Sequence, residues 1–263
     1  LRDLNPTMRV FTASGSTNPL ERELINRNLD LPSATNVVGP MNRRDLQINV
    51  LDTAGGLPSR NVADEILGSK QGTADKFIQH IFNEMNTYPD KVFAVYCETI
   101  GQCKSTSLKL NNFFESQGES AQSLPFYRHH SSWMRATLLH FTDPDHKCRV
   151  LCCTVALGMG IHVSNLQNIY MKRLMMNLSM AVQMWSRAHR VWSTDTTTYG
   201  KVVIMNDFAD FRRQKKRALI LQATWQEEEQ QETGQRVEQS LHALYELVMD
   251  RASCLQEKIE CIY

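Results

Sequence analysis

Glycines that follow a short apolar segment in the second half of the chain could bring the backbone close to a ligand. The segment runs from Val150 to Val155 and is followed by Gly158 and Gly160. It is too short for a buried helix and is bounded by charge before and glycine after, which predicts a strand buried on both faces. At the carboxyl end of a parallel strand, where ligands bind, glycine also permits a positive φ. This turn is therefore a candidate binding site.

Two arginines further along the chain could bind an anion. Arg187 and Arg190 belong to the segment QMWSRAHR, which starts at Gln183. Three residues apart on a helix, both guanidinium groups can point at one anion. The same spacing is common on a solvated helix face, and a strand followed by Gly-x-Gly is also common. Neither segment is specific by itself, whereas their order and spacing are more informative.

Taken together, the two segments resemble motifs V and VI of the second RecA-like domain of RecQ-type DNA helicases. The sequence TVALGMGI, which starts at Thr154, is similar to T-x-A-F/L-G-M-G-I-D. Gln183, Arg187 and Arg190 match the glutamine and the two arginines of Q-E-x-G-R-A-G-R-D-G. The resemblance, and not the periodicity of the sequence, names this family.

The resemblance implies roles on the nucleotide side. Arg187 and Arg190 would be catalytic, with Arg190 as the arginine finger that stabilises charge on the transferred phosphoryl group. Gln183, Gly158 and Gly160 would contact ATP or couple it to DNA.

The resemblance also implies contacts to DNA. Thr154 would touch the DNA backbone. Tyr127 and Arg128 begin the sequence YRHH, which stands where the family has Y-H-A-G/D, a loop that touches DNA. The expected nucleic-acid partner is DNA at a junction of single strand and duplex.

The chain departs from the family at several positions. His162 and Ser164 replace the usual Asp and Pro after motif V, and Ser186 and His189 replace both glycines of motif VI. A Cβ at a former glycine costs up to about 3 kcal/mol where φ is positive. A second hypothesis therefore stays open, in which the chain is a degenerate, catalytically inactive helicase remnant that binds nucleic acid or a protein partner.

The first fifty residues resemble the end of the first RecA-like domain. Thr12 to Ser14, with Pro19, Arg22 and Ile25, is similar to motif III and the helix after it. Val37 to Leu51 is similar to the segment that crosses between the two RecA-like domains.

Strands alternate with helices over most of the chain, which predicts an α/β fold with a parallel sheet. Besides the strand at 150–155, the predicted strands are 8–11, 92–97, about 120–127 and 201–205, and the predicted helices include 102–116 and 131–141. With the resemblance, this becomes a RecA-like parallel sheet flanked by helices and followed by a helical C-terminal extension. The helix predicted over 102–116 has Leu108, Leu110 and Phe113 or Phe114 inward. The predicted parts are 1–51, the tail of the first RecA-like domain; 52–90, a connecting helical segment; 91–222, the second RecA-like domain; and 223–263, a linker and the start of an incomplete zinc-binding subdomain.

A segment that looks like a phosphate-binding loop is rejected. In Gly101 to Ser105, GQCKS, Cys103 stands where a Walker A motif needs a glycine before the lysine. Because nothing before motif III is present, we expect the chain to be part of a longer protein and unable to hydrolyse ATP alone. ATP and Mg²⁺ would both require the first RecA-like domain.

Composition sets further limits. The 263 residues are 42% hydrophobic with a net charge of +1, so nucleic-acid contacts must come from local patches. The seven cysteines do not form a disulfide pattern, which indicates a reducing compartment. No apolar run approaches the roughly 20 residues of a membrane span. Cys254 is similar in place to the first cysteine of the family's zinc subdomain, so Zn²⁺ is implied only for the full-length protein.

The resemblance as a whole implies an ATP-dependent DNA helicase that unwinds in the 3′ to 5′ direction, in a nucleus. A Rossmann-like small-molecule enzyme is a third hypothesis. It lacks support because no G-x-G-x-x-G stands at a strand-to-helix turn.

Overall fold

A computed structural model of the chain describes residues 19–28, 46–52, 70–128, 131–143, 145–158, 161, 163, 165–172, 178–188, 199–206, 215–216, 238–244 and 246. Five helices are bounded in this part of the chain: α1 (Pro19–Asn28), α2 (Lys70–Thr87), α3 (Ile100–Ser116), α4 (Ser131–Thr142) and α5 (Leu178–Trp185). The strands are β1 (Leu46–Asp52), β2 (Val92–Tyr96), β3 (Gln122–Phe126), β4 (Cys148–Cys153), β5 (Leu166–Met171) and β6 (Gly200–Asn206), and a 3-10 turn spans Val155–Gly158.

All six strands are parallel and form one sheet in the order β1-β6-β5-β2-β4-β3. Three of the four inner strands, β5, β2 and β4, are buried along almost their whole length. Parallel strands covered on both faces are continuous apolar runs, which is why VFAVY and VLCC were recognisable as strands. The predicted α/β class with a parallel sheet is confirmed.

Two apolar layers cover the two faces of the sheet. On one face, side chains of α2 and α3, such as Ile81 and Phe114, pack against Phe93 and Tyr170. On the other face lie α4, α5 and the 3-10 turn. Leu241 and Leu244 join this second layer, so the residues described in the predicted C-terminal helix pack on the sheet.

The packing of α3 corrects one detail of the sequence prediction. Leu110 and Phe114 are buried as expected, but Leu108 is 61% exposed. The buried face continues toward the start of the helix through Cys103, Thr106 and Ser107. Successive residues of a helix are rotated by about 100° around its axis. When the buried face runs through these positions, Leu108 lies on the solvent-exposed side.

Two strands were not anticipated from the sequence. Leu46–Asp52 lies in the segment that was predicted to cross between domains, and it pairs along its length with β6. Leu166–Met171 escaped notice because Gln167 and Asn168 interrupt its apolar pattern, although both are buried. Strands predicted over 8–11 lie outside the described residues.

In the described helices, no span is both long and apolar enough to cross a bilayer.

Candidate functional site

The carboxyl ends of four neighbouring strands form one edge. Backbone hydrogen bonds continue the ladder past each strand end: Lys172 N–H donates to Tyr96, Cys97 N–H to Cys153, and Thr154 N–H to Phe126. The N to O distances are 3.1, 2.7 and 3.1 Å. Lys172, Cys97, Thr154 and the residue after Phe126 therefore stand in a row along this edge, which we call the carboxyl edge.

The chain leaves the carboxyl edge toward opposite faces at two adjacent strands. After β2 it enters α3, whose Cys103 packs with Cys152 on one face. After β4 it enters the 3-10 turn, whose Leu157 packs with Leu151 and Cys153 on the other face. In open parallel sheets, ligands bind where such connections diverge. The sheet order thus makes the space above β2 and β4 the candidate site.

Thr154 is the first residue beyond β4 and is half-buried. Its Oγ1 accepts a hydrogen bond from the N–H of Ala156 at 3.4 Å, and its carbonyl accepts from Leu157 N–H at 3.3 Å. These bonds tie the side chain and backbone of Thr154 to the 3-10 turn that ends at Gly158. A ligand that binds Thr154 therefore acts on this turn.

Arg187 connects the end of α5 to the segment after this turn. Its Nη1 donates to the carbonyl oxygen of Ile161 at 2.9 Å. The guanidinium also lies close enough to Tyr96, at the end of β2, to oppose the effect of burial, which raises the pKa of that phenol well above its usual value. Arg187 is thus half-buried between the turn and the sheet rather than directed only to solvent.

The backbone around Arg187 corrects its predicted place on a helix. The helix α5 ends at Trp185, and Arg187 lies in the hydrogen-bonded turn that follows. Ser186 N–H donates to Val182 at 2.9 Å, and its Oγ donates to the Gln183 carbonyl at 2.8 Å. The first is the bond of a right-handed helical turn, in which a Cβ is accommodated. The serine that replaces a motif VI glycine therefore fits the local backbone.

A cation and two aromatic rings lie beside Thr154. Tyr127 follows β3, and Lys104 Nζ of α3 stands 5.5 Å from the centre of its ring. Trp133 of α4 packs against Tyr127, with ring centres 4.9 Å apart, and against Phe126 at 6.5 Å. Lys104 and Arg128 are exposed.

Comparison with known proteins agrees with this geometry. Residues 74–191 match the family model described as the helicase conserved C-terminal domain. Residues 74–191 carry a helicase C-terminal domain. The comparison with curated proteins found no match.

The helicase C-terminal domain and its surroundings are similar to solved structures. The helicase Lhr of Mycobacterium smegmatis, solved with single-stranded DNA and AMP-PNP, has a TM-score of 0.56 and 14% identity, covering 89% of this chain and 33% of that one. At this identity the match shows the fold, which is RecA-like. The chain spans about a third of the length of that helicase.

Two further structures are similar at lower scores. One is a fragment of an HsdR subunit of a type I restriction enzyme from Vibrio vulnificus, with a TM-score of 0.44, 16% identity and coverage of 61% of this chain and 31% of that one. The other is the C-terminal part of the Fun30 ATPase domain, with a TM-score of 0.42, 14% identity and coverage of 70% and 58%.

The matched range does not include the whole sheet. Strands β1 and β6 lie outside residues 74–191, yet both belong to the same six-stranded sheet. The sheet is therefore continued by residues on both sides of the match.

The structure places the predicted site residues in two groups. Thr154 and Tyr127 stand at adjacent strand ends, with exposed Arg128 next to them. Gln183 lies in α5 and Arg187 just beyond it. Gly158 ends the 3-10 turn between the two groups, whereas Gly160 and Arg190 lie outside the described residues.

Lys104 is a residue that sequence reasoning missed, because it belongs to the segment rejected as a phosphate-binding loop. Gly101 to Ser105 are helical, so the rejection of a loop was correct. The signal that could have found the lysine was its position in the first turns of a helix that follows a central strand.

Cysteine and metal chemistry receive no support at this edge. Burial is the main cause that raises the pKa of the Cys152 and Cys153 thiols at the end of β4. These side chains remain neutral thiols at physiological pH, and a neutral thiol is a poor nucleophile. Among the described residues, no three His, Cys, Asp or Glu side chains are placed to hold a metal ion.

Proposed function

We propose that the chain supplies the second RecA-like half of a RecQ-like, ATP-dependent DNA helicase that moves in the 3′ to 5′ direction in a nucleus. One observation supports this proposal most strongly. The 3-10 turn that ends at Gly158 is hydrogen-bonded to Thr154, the proposed DNA contact, and Ile161, three residues further along the chain, accepts a hydrogen bond from Arg187, the proposed nucleotide-side residue. DNA and nucleotide would therefore act on one segment of backbone.

The DNA strand would pass along the carboxyl edge. Thr154 would donate its hydroxyl to a phosphate oxygen, and Tyr127 and Arg128 would contact the next part of the strand. Contacts to phosphates position a strand without selecting its sequence, which suits an enzyme that must move along any DNA.

Arg187 would link the DNA side to the nucleotide side. Its Nη1 is engaged with the Ile161 carbonyl, so we assign it a positioning role and assign the finger to Arg190. A shift of α5 would pull on Ile161 and move the turn that holds Thr154. Gln183 on α5 would sense the nucleotide from the same helix.

ATP, with Mg²⁺, would supply the phosphoryl group whose transfer to water drives the motion. Arg187 and Arg190 of the second domain would face a nucleotide held by a first RecA-like domain. The sequence contains no G-x-x-x-x-G-K-S/T, so we expect the chain by itself to show no magnesium-dependent ATP hydrolysis above a blank.

The test of the proposal is binding of a fluorescein-labelled oligo-dT by the purified chain, followed by fluorescence anisotropy. Saturable binding that weakens as salt rises is expected for phosphate contacts. Absence of binding at low salt would contradict the DNA part of the proposal. ATP hydrolysis by the chain alone, abolished by an Arg190→Ala change, would show that the division of labour between domains is wrong.

A degenerate remnant that binds nucleic acid without catalysis is the second candidate. It is favoured by His162, Ser164 and His189, which replace family residues around both motifs. The coding sequence upstream of Leu1 separates the two candidates. An in-frame G-x-x-x-x-G-K-S/T followed by a D-E-x-H box supports the helicase, and their absence leaves the arginines without a nucleotide and supports the remnant.

A further inference from the structure

Lys104 is an exposed cation whose position is set by an aromatic ring. Its Nζ stands 5.5 Å from the centre of the Tyr127 ring, within the range of a cation–π contact. The electron-rich face of the ring attracts the lysine ammonium. The N–H groups of the ammonium can still donate hydrogen bonds to an anion. The long lysine side chain is thereby held near the end of β3.

The ring below Lys104 is itself supported. Trp133 of α4 packs on Tyr127 and on Phe126, which is fully buried. Phe126 accepts the ladder bond from Thr154, so this aromatic group is anchored to the end of β4. Lys104 is consequently positioned relative to Thr154 by the sheet and not only by its own helix.

The surface around Lys104 has a positive balance. Helix α4 contains no acidic residue, and the single acidic residue of α3 is Glu115, in its last turn. Arg128, the residue after Tyr127, is exposed, and so is Arg135 of α4. Glu98 is the acidic residue near the start of α3. A polyanion fits this local field although the whole chain is nearly neutral.

We propose that Lys104, held over the Tyr127 ring, contacts a backbone phosphate of single-stranded nucleic acid at the carboxyl edge. The proposal rests on the proposed function, because the strand it contacts is the one that passes Thr154. It adds a contact from α3 to the contact from Thr154 at the end of β4. The nucleic-acid strand would then be bound by two different elements of the protein. The contact is independent of base sequence.

The experiment compares Lys104→Ala with Lys109→Ala in the full chain, using anisotropy of labelled oligo-dT at several salt concentrations. Lys109 is also an exposed lysine of α3, but it lies further from the carboxyl edge and on another side of the helix. One lost phosphate contact should lower the slope of log affinity against log salt by about 0.7. We expect this change, and a loss of affinity of about two- to fivefold at low salt, for Lys104→Ala but not for Lys109→Ala.

Substitutions of the ring test how the lysine is held. Tyr127→Phe keeps the aromatic face and should preserve the contribution of Lys104, whereas Tyr127→Leu should reduce it. In a double-mutant cycle, Lys104→Ala should cost less affinity in the Tyr127→Leu background than in the parent chain. Lys104→Arg keeps the charge and should retain most of the salt slope, which provides a variant with little risk to folding.

The outcomes separate this inference from the proposed function. If the parent chain binds oligo-dT but Lys104→Ala and Lys109→Ala behave alike, the contact at Lys104 is wrong and the proposed function stands. If the parent chain does not bind oligo-dT, both are wrong. If Lys104→Ala lowers the affinity for oligo-dT equally in the parent and in the Tyr127→Leu background, the phosphate contact is supported but the role of the ring is wrong.

Discussion

The two edges of the sheet both contain cations, but they use them differently. At the carboxyl edge, Lys104 and Arg128 are exposed. At the opposite edge, where the strands begin, Arg149 and Lys201 are partly buried and bonded to α2 and the segment after it. We infer that a cation is available to a ligand where its charged group is exposed, as in Lys104 and Arg128, and not where backbone or carboxylate oxygens already bind it, as in Arg149 and Lys201.

Arg149 holds the end of α2. Its Nε donates to the carbonyl oxygen of Lys91 at 2.7 Å, and its Nη2 donates to Tyr88 at 2.7 Å and to Met85 at 3.4 Å. The last carbonyls of a helix lack partners within the helix and carry partial negative charge, so a guanidinium among them is stabilising. This arginine from β4 fastens α2 to the sheet.

Lys201 and Asn168 hold the same helix through Glu84. Lys201 Nζ lies 2.8 and 3.0 Å from the two carboxylate oxygens, and Asn168 Nδ2 donates to Oε2 at 2.8 Å. Asn168 is fully buried, and the Glu84 side chain is only 13% exposed. This edge is therefore a structural clamp, and changes there should affect folding rather than binding.

The largest effect should come from Arg149→Ala. It removes hydrogen bonds from a charged donor to backbone carbonyls at the end of α2 and just after it. A hydrogen bond of a charged group contributes about 1.5–3 kcal/mol, so we expect a loss of about 2–3 kcal/mol in the free energy of unfolding. Urea denaturation measures it, with Arg135→Ala at an exposed position as the control. The folded fraction should bind oligo-dT as the parent does. A large loss of affinity with unchanged stability would show that Arg149 binds DNA and that the two edges do not differ in the role of their cations.

Thr154→Val should have the opposite profile. Valine keeps the shape of threonine and removes the hydroxyl, so the phosphate contact is lost at a cost of about 1 kcal/mol, or roughly fivefold in affinity. Anisotropy with oligo-dT measures this, and Thr154→Ser, which keeps the hydroxyl, should bind nearly as the parent does. If the valine and serine variants bind equally, the hydroxyl has no role in DNA binding.

The smallest effect concerns pH and His80, on α2 beside the structural clamp. Burial lowers the pKa of His80 below its usual 6.5, and Lys201 lowers it further while Glu84 opposes both. The unfolded chain then binds the proton more readily than the folded chain. Stability from this group is complete above pH 6.5 and falls as the pH drops below 6.5.

His80→Gln should therefore lose less stability than the parent between pH 7.5 and pH 5.5 in urea denaturation. His140→Gln, on α4 at an exposed position where the ring lies beside that of His146, serves as the control for removing a histidine away from α2. An identical pH dependence in the parent and in His80→Gln would show that burial of this imidazole does not matter.

Much of the fold could be predicted from local pattern. The apolar runs at 92–97 and 150–155 indicated central strands, and the strand after Tyr199 was also expected. The helices over 102–116 and 131–141 were found within a few residues of their ends. Leu166–Met171 was not found, because its buried Asn168 is stabilised by Glu84, a residue of another element far away in the sequence.

The candidate site was predictable only in part, for a related reason. Thr154 and Tyr127 were identified through resemblance, and the sheet brings them to adjacent strand ends. The contact between Arg187 and the Ile161 carbonyl was not foreseeable, because neither residue type nor spacing specifies a bond to a backbone oxygen in another segment.

By itself, the sequence determined the parallel α/β class, the glycine turn after β4 and the resemblance to a helicase domain, since these depend on apolar runs and residue order along the chain. The tertiary structure decided which cations are available. Arg149 and Lys201 lie beside carbonyl and carboxylate oxygens of α2 and its connection, whereas Lys104 lies over the Tyr127 ring at the surface. The physical reason is that the order of the strands decides which oxygen atoms or aromatic rings lie next to each charged side chain. That order brings together residues that are distant in the sequence.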